Sequence, residues 1–117
     1  PVLTPISMSK EGQKLNVNAD SAAGAVAAAL SADMCIFITD VDGIRNGTKT
    51  IEHITESEIT KMIDQGTIYG GMIPKVQAAL SAKKQGASTI LITSGVSGFF
   101  ADDKWLGTFL GAEERVM

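Results

Sequence analysis

Apolar and polar positions follow two different spacings along this chain, and the spacings take turns. Met34 to Thr39 is a continuous apolar run of strand length, and Thr89 to Thr93 is a second; runs of this kind predict strands buried on both faces. Around them the pattern changes to a helical one. Ser21 to Ala32 is mostly alanine with Val26 and Leu30, a strong helix former that Asp20 introduces as N-cap. Thr55-Glu56-Ser57-Glu58 is a capping-box sequence and predicts a helix with Ile59, Met62 and Ile63 on one face and Gly66 as its stop. A further helix is predicted from about Met72 to Gln85, with Pro74 tolerated in its first turn and Gly86 ending it.

The remaining segments are shorter. Val2 to Ile6 and Lys14 to Asn18 read as extended pieces, the first confined by Pro5 to an edge or a strand end. Ile44-Arg45 and Thr50-Ile51 flank Asn46-Gly47, a hairpin signal that predicts a small protruding flap. A Gly-rich turn, Ser94 to Gly98, follows the second apolar run, and the stretch through Trp105 and Gly107 to Leu110 is expected to return to the sheet. Buried strands alternating with helices imply an α/β sandwich in which most strands are parallel. Ligands of such sheets bind beyond the carboxyl ends of the strands, which directs attention to Asp40–Gly43 and Ser94–Gly98.

Composition narrows the function classes. The 117 residues, 44% of them hydrophobic, suit one domain and leave no room for two ordinary cores. Ten basic against thirteen acidic side chains give a net charge of −3, which argues against general affinity for nucleic acid or anionic membranes, so any phosphate must be held locally. The longest apolar stretch, Ala22 to Leu30, is too short to cross a bilayer. The single cysteine, Cys35, lies inside an apolar run and is expected to be a buried small hydrophobe; it offers neither a disulfide framework nor a thiolate metal site, and a reducing cytoplasm is the expected setting. The chain opens at Pro1 and is expected to be a fragment of something longer.

Three segments carry candidate chemistry. Asn16-Val17-Asn18-Ala19-Asp20 joins an extended piece to a helix start, where an Asx-rich cap and a polar site are equally good readings; a calcium loop is excluded because Ser21 stands where glycine is needed and Ala27 where a bidentate acid is needed. Gly70-Gly71-Met72-Ile73-Pro74-Lys75 sets flexible residues at a helix N-terminus, whose amides attract anions, with a lysine one turn inside. No G-x-x-x-x-G-K-[ST] and no G-x-G-x-x-G after a strand is present. Asp40-Val41-Asp42-Gly43 after a buried strand is ambiguous. An aspartyl phosphatase of the haloacid dehalogenase type also uses strand-D-x-D-G, with Asp102-Asp103 as possible magnesium acids, although Lys75 then precedes Thr93-Ser94 in the wrong order. His53, the only histidine, has no partner at a catalytic or zinc spacing and reads as a surface or hinge residue; Trp105 and Phe99-Phe100 read as core or domain contacts.

Taken together and in this order, N-V-N-A-D before an Ala-rich helix, Thr39-Asp40-Val41-Asp42-Gly43, and Gly70-Gly71-Met72-Ile73-Pro74-Lys75-Val76 resemble the C-terminal lobe of the acetylglutamate kinases, within the amino-acid kinase family, from about Pro5 to Thr108. Aspartokinase and glutamate 5-kinase share the T-D-V-D-G type of strand end and are the alternatives inside the family; a non-catalytic nucleotide-binding module is the alternative outside it. The resemblance implies a carbamate kinase-like fold, a three-layer αβα sandwich with a mainly parallel sheet, and residues 1–117 as one nucleotide-binding lobe. It also implies that the N-terminal lobe, with its glycine-rich loop, second catalytic lysine and substrate-binding arginine, lies outside this chain, so the lobe alone should bind but barely turn over.

By the same resemblance, Asn16 would hold N-acetyl-L-glutamate, Asp20 would orient the catalytic lysines, and Lys75 would stabilise charge on the phosphoryl group in flight. Asp40, Val41, Asp42, Gly43, Ile44 and Arg45 would line the ATP/ADP site, with Thr67, Ile68 and Tyr69 closing its other side. No residue is assigned as a metal ligand, Mg2+ being expected to travel with the nucleotide phosphates. The complete protein is expected to be a homo-oligomer in the arginine-biosynthetic route. Its substrate carboxylate, with a pKa near ~4.3, needs no general base at neutral pH.

Overall fold

The computed structural model describes residues 1–96 and 98–110. Its elements run β1 (Ile6–Met8), β2 (Lys14–Asn16), α1 (Ala19–Ala29), β3 (Met34–Thr39), β4 (Arg45–Asn46), β5 (Lys49–Thr50), β6 (His53–Ile54), α2 (Glu56–Asp64), α3 (Met72–Gln85), β7 (Thr89–Ser94), β8 (Phe100–Ala101), β9 (Lys104–Trp105) and β10 (Thr108–Leu110). Four strands form the principal sheet in the order β3-β7-β10-β6; β3 is parallel to β7 and β10 parallel to β6, while β10 runs antiparallel to β7. The returning C-terminal stretch therefore enters the middle of the sheet. Pairs β1-β2, β4-β5 and β8-β9 stand apart as two-stranded antiparallel ribbons.

Local signals set most boundaries. Thr55 and Glu58 complete the reciprocal capping box, with Thr55 Oγ1 accepting from the Glu58 amide at 3.2 Å and Glu58 Oε1 accepting from the Thr55 amide at 2.9 Å. Gly66 at φ +81° and Gly86 at φ +125° take the left-handed conformations in which the chain leaves α2 and α3. The N-cap of α1 is Asn18 and not Asp20: the Asn18 side chain accepts from the Ser21 amide at 2.9 Å, and the helix opens two residues earlier than the alanine run indicates. Two strands also shift. The first strand begins at Ile6, beyond Pro5, and the second ends at Asn16 because Asn18 is already committed to the cap. In the β4–β5 hairpin Asn46 pairs with Lys49, so Gly47 and Thr48 form the turn; Gly47, at φ +69°, takes the first central position.

One core unites the helices with one face of the sheet. Cys35 pairs with Ile90 and Phe37 with Ile92, so these four side chains share a face, and they cluster with Ala27 of α1, Ile59 of α2, and Val76, Ala79 and Ala82 of α3. Helices α1 and α3 approach closely because Gly24 has no side chain; a Cβ there would stand 3.0 Å from the Cβ of Ala82. Full burial of a residue such as Ile59, Ile90 or Ile92 is worth about 1.5–3 kcal/mol. Strand β7 is buried along five of its six residues, as expected, but β3 ends the sheet and leaves Ile38 54% exposed. The aromatic residues near the C-terminus also depart from expectation. Phe99, Phe100 and Trp105 pack on each other in the β8–β9 ribbon and remain substantially exposed, since among the described residues no further strand pairs with this ribbon. No helix among the described residues is long and apolar enough to cross a membrane.

Candidate functional site

The connections bring three chain segments to one end of the sheet. Helix α1 runs back to the start of β3 and α3 runs back to the start of β7, while β3 and β7 are parallel. At 1.5 Å per residue α3 is about 21 Å long, close to the ~20 Å of a six-residue strand, so its N-terminus lies near the level of the carboxyl ends of β3 and β7, and that of the shorter α1 lies on the same side. That is where Asp40 leaves β3.

A single contact verifies the convergence. Lys75, in the first turn of α3, donates from Nζ to Oδ2 of Asp20, in the first turn of α1, at 2.9 Å across 55 positions of sequence. Both side chains are largely withdrawn from water, at 17% and 30% exposure, so the pair is less screened than a surface one. Aligned helix N-termini carry partial positive charge, and Lys75 adds a mobile cation beside them. The amides themselves contribute less than the sequence implies: those of Met72 and Ile73 turn back onto the carbonyls of Tyr69 and Gly70, at 3.3 and 3.1 Å. The cap residue, Gly71, has no side chain to block approach from solvent.

Beside this helix end lies a cleft of about 880 Å³. One wall is Thr39, Asp40, Val41, Gly43, Ile44 and Arg45, continued by Asn46 and Gly47 of the hairpin; the other is Gly66, Thr67, Ile68, Tyr69, Gly71 and Met72. The two segments that the resemblance sets on opposite sides of one site, 40–45 and 67–69, thus line one cleft, all but Asp42. Ile68 is buried and supports the wall, whereas Tyr69 is 74% exposed at the rim. Asn16 is exposed at the end of β2, outside the cleft lining, and Lys75 sits one turn behind Met72.

Asp42 is the exception. It lines a second cavity, of about 650 Å³, together with Thr50, Glu52, His53, Gly98, Asp103, Lys104, Trp105, Leu106, Gly107 and Phe109. Strand alternation would put Asp40 and Asp42 on one side, but β3 ends at Thr39 and the chain bends through residues 40–44, so the two carboxylates open onto different spaces. A phosphatase needs both carboxylates at one phosphorus, and Asp102-Asp103 form the tip of the β8–β9 hairpin; the described residues hold no cluster of three acids, histidines or cysteines. His53 is a surface residue, stacked on Phe109 with centroids 5.5 Å apart. Of the Ser94–Gly98 turn, Gly98 reaches the second cavity and Ser97 lies outside the described residues. Cys35 is buried, and its burial pushes the thiol up.

Several wall residues were not singled out beforehand. Asn46 and Gly47 were legible only as a turn and Gly66 only as a helix stop, while Thr39 and Met72 were named within their motifs without a role of their own. Thr108 carried no local signal; it is fully buried and bonds to both ends of the hairpin base.

Comparison with known proteins agrees with this geometry. The amino acid kinase family profile matches residues 1–94. Acetylglutamate kinase from Bacillus velezensis is 46% identical over 115 residues, and that from Bacillus subtilis strain 168 is 48% identical over 117; the alignments cover 98% and 99% of this chain. The chain spans 45% of the length of these relatives. The crystal structure of smu.665 from Streptococcus mutans UA159 superposes with a TM-score of 0.79 at 38% identity, covering 96% of this chain and 42% of that one. On the profile match and on the arrangement of β3, α3 and β7 around the cleft, this chain belongs to the amino-acid kinase family.

Proposed function

We propose that the chain is the nucleotide-binding lobe of an acetylglutamate kinase, which in complete form transfers the γ-phosphoryl group of ATP to the γ-carboxylate of N-acetyl-L-glutamate in cytoplasmic arginine biosynthesis. The observation that carries this reading is the Lys75–Asp20 pair at 2.9 Å beside a cleft walled by Asp40, Val41, Gly43–Arg45 and Thr67–Tyr69. The acceptor carboxylate is ionised at neutral pH and attacks phosphorus without a base; the bond from phosphorus to the bridging oxygen breaks, and ADP leaves. What the protein must supply is position and compensation of charge on the transferred oxygens.

In this reading the ammonium of Lys75 follows the charge and Asp20 keeps it aimed, a positioning role that a 2.9 Å contact suits. Adenine and ribose lie between the Asp40–Arg45 wall and the Thr67–Tyr69 wall. Mg2+ arrives with the phosphates and keeps most of its ligands from nucleotide and water. Asn16 is assigned to the acetylglutamate, and Asp42, facing the second cavity, supports the nucleotide loop from behind. The acceptor site is completed by the rest of a longer, homo-oligomeric protein.

Calorimetric titration of ADP into the 117-residue chain tests the cleft. Binding is expected, and Lys75→Ala should weaken it about tenfold by removing a charge-assisted contact to phosphate. Absence of binding, or equal affinity in the variant, removes this assignment. In the complete enzyme Lys75→Ala should lower turnover on the order of a hundredfold, as loss of one preorganised donor does.

A further inference from the structure

The hairpin that walls the cleft is short, and open space surrounds its tip at Gly47, where a Cβ would find no atom within 4 Å. Something other than packing at its tip must hold it over the nucleotide site. Its base is closed by one backbone bond, from the Ile51 amide to the Ile44 carbonyl at 2.8 Å. Directly behind that base stands Thr108 of β10. Its hydroxyl accepts from the Ile44 amide at 2.9 Å and donates to the Ile51 carbonyl at 2.5 Å, so one side chain links both ends of the hairpin to the sheet. An O–H group is suited to this because it gives one proton and accepts another at the same atom.

Thr108 also sets the loop that precedes the hairpin. Gly43 lies at φ +150°, and a Cβ there would stand 2.6 Å from the Thr108 hydroxyl oxygen and 3.2 Å from its backbone nitrogen. The turn from Asp40 to Ile44 can follow its course only against this residue. Thr108 itself is held firmly, since β10 pairs with β7 on one side and β6 on the other, and the next amide, that of Phe109, bonds to the Glu52 carbonyl at 2.8 Å. It lies beyond residue 94, where the family profile ends.

We infer that Thr108 is a positioning residue for nucleotide binding: through its hydroxyl it fixes the Asp40–Gly43 loop and the hairpin at the angle that forms one wall of the cleft. Thr108 does not line the cleft, and the inference rests on the reading of the cleft as a nucleotide site. Removal of the hydroxyl takes the partner from the buried Ile44 amide and one acceptor bond from the half-buried Ile51 carbonyl, and the hairpin is free to tilt.

The test compares Thr108→Val, which keeps the shape and loses the hydroxyl, with Thr108→Ser, which keeps the hydroxyl. ADP affinity, measured by calorimetry, should fall about tenfold in the valine variant and stay within about twofold in the serine variant, the size of effect expected when a buried amide loses its partner. Amide hydrogen exchange should quicken at Ile44 in Thr108→Val and remain unchanged in α3. If the unaltered chain binds ADP and the valine variant binds it equally well, even with a lower Tm, Thr108 is structural only and the inference is overturned. If the unaltered chain does not bind ADP, the nucleotide reading fails first and takes the inference with it. Should the valine variant not fold, the unaltered chain decides: saturating ADP must slow exchange of the Ile44 amide, and no slowing overturns the inference.

Discussion

The chain contains two hairpins of the same size, β4–β5 and β8–β9, and they are held by opposite means. The first is tied at its root by buried polar bonds: Thr108 reaches Ile44 and Ile51, and Gly43 leaves space for it. The second is held by aromatic faces at the surface, Phe99 stacked on Trp105 at 6.2 Å and Phe100 edge-on at 5.0 Å. Directional bonds in a dry environment fix an angle, whereas ring packing open to water tolerates sliding. Each hairpin lines a cavity, the first fixed at its root and the second by ring contacts, and the contrast teaches that a two-residue ribbon gains precision from its root.

The largest effect should come from the root of the first hairpin. Gly43→Val forces a side chain onto Thr108 and into a strained φ, and is expected to abolish ADP binding in calorimetry and to lower Tm; the corresponding loss in the other hairpin, Trp105→Ala, should leave the ADP dissociation constant within about twofold. Equal losses in the two variants would erase the distinction between the hairpins.

A smaller effect is expected at the tip of the second. Asp102 and Asp103 both lie at positive φ, +53° and +63°, where a glycine is less strained. Asp103→Gly should raise Tm by about 2 °C in a thermal melt, without change in ADP affinity. A lower Tm would mean that the carboxylate has a partner worth more than the strain.

The smallest concerns Cys35, in the core at the start of β3 and away from both hairpins in sequence. With its thiol pushed up by burial, alkylation by iodoacetamide at neutral pH should be slow in the folded chain and rapid in urea. The sign for stability follows: the folded chain keeps the thiol protonated longer than the unfolded one, so this contribution is intact below the ordinary thiol range and lost as pH rises through the raised value. Fast native labelling would show that β3 opens readily.

Much of this architecture was legible because its determinants act within four residues. The capping box at Thr55, the Pro74 start and Gly86 stop of α3, and the apolar runs of β3 and β7 each appear where the spacing predicts. The misreadings are local competitions. Asn18 displaced Asp20 as cap because its side chain reaches the Ser21 amide, and Gly47 took the turn position offered to Asn46-Gly47 as a pair. Exposure of Trp105 and Ile38 could not be read, since it depends on which strands lie at the sheet edge and which ribbons receive no cover.

By itself, then, the sequence determined most of the elements, the caps of α2 and α3, and the glycine-bearing start of α3 as a segment suited to an anion. Tertiary structure alone decided that Lys75 meets Asp20 across 55 residues, that Asp40 and Asp42 face different cavities, and that Thr108 closes the hairpin from 64 residues away. The reason is range: caps and turns are satisfied by neighbours along the chain, whereas these contacts exist only after the strand order places β10 between β7 and β6 and the crossovers set two helix ends side by side.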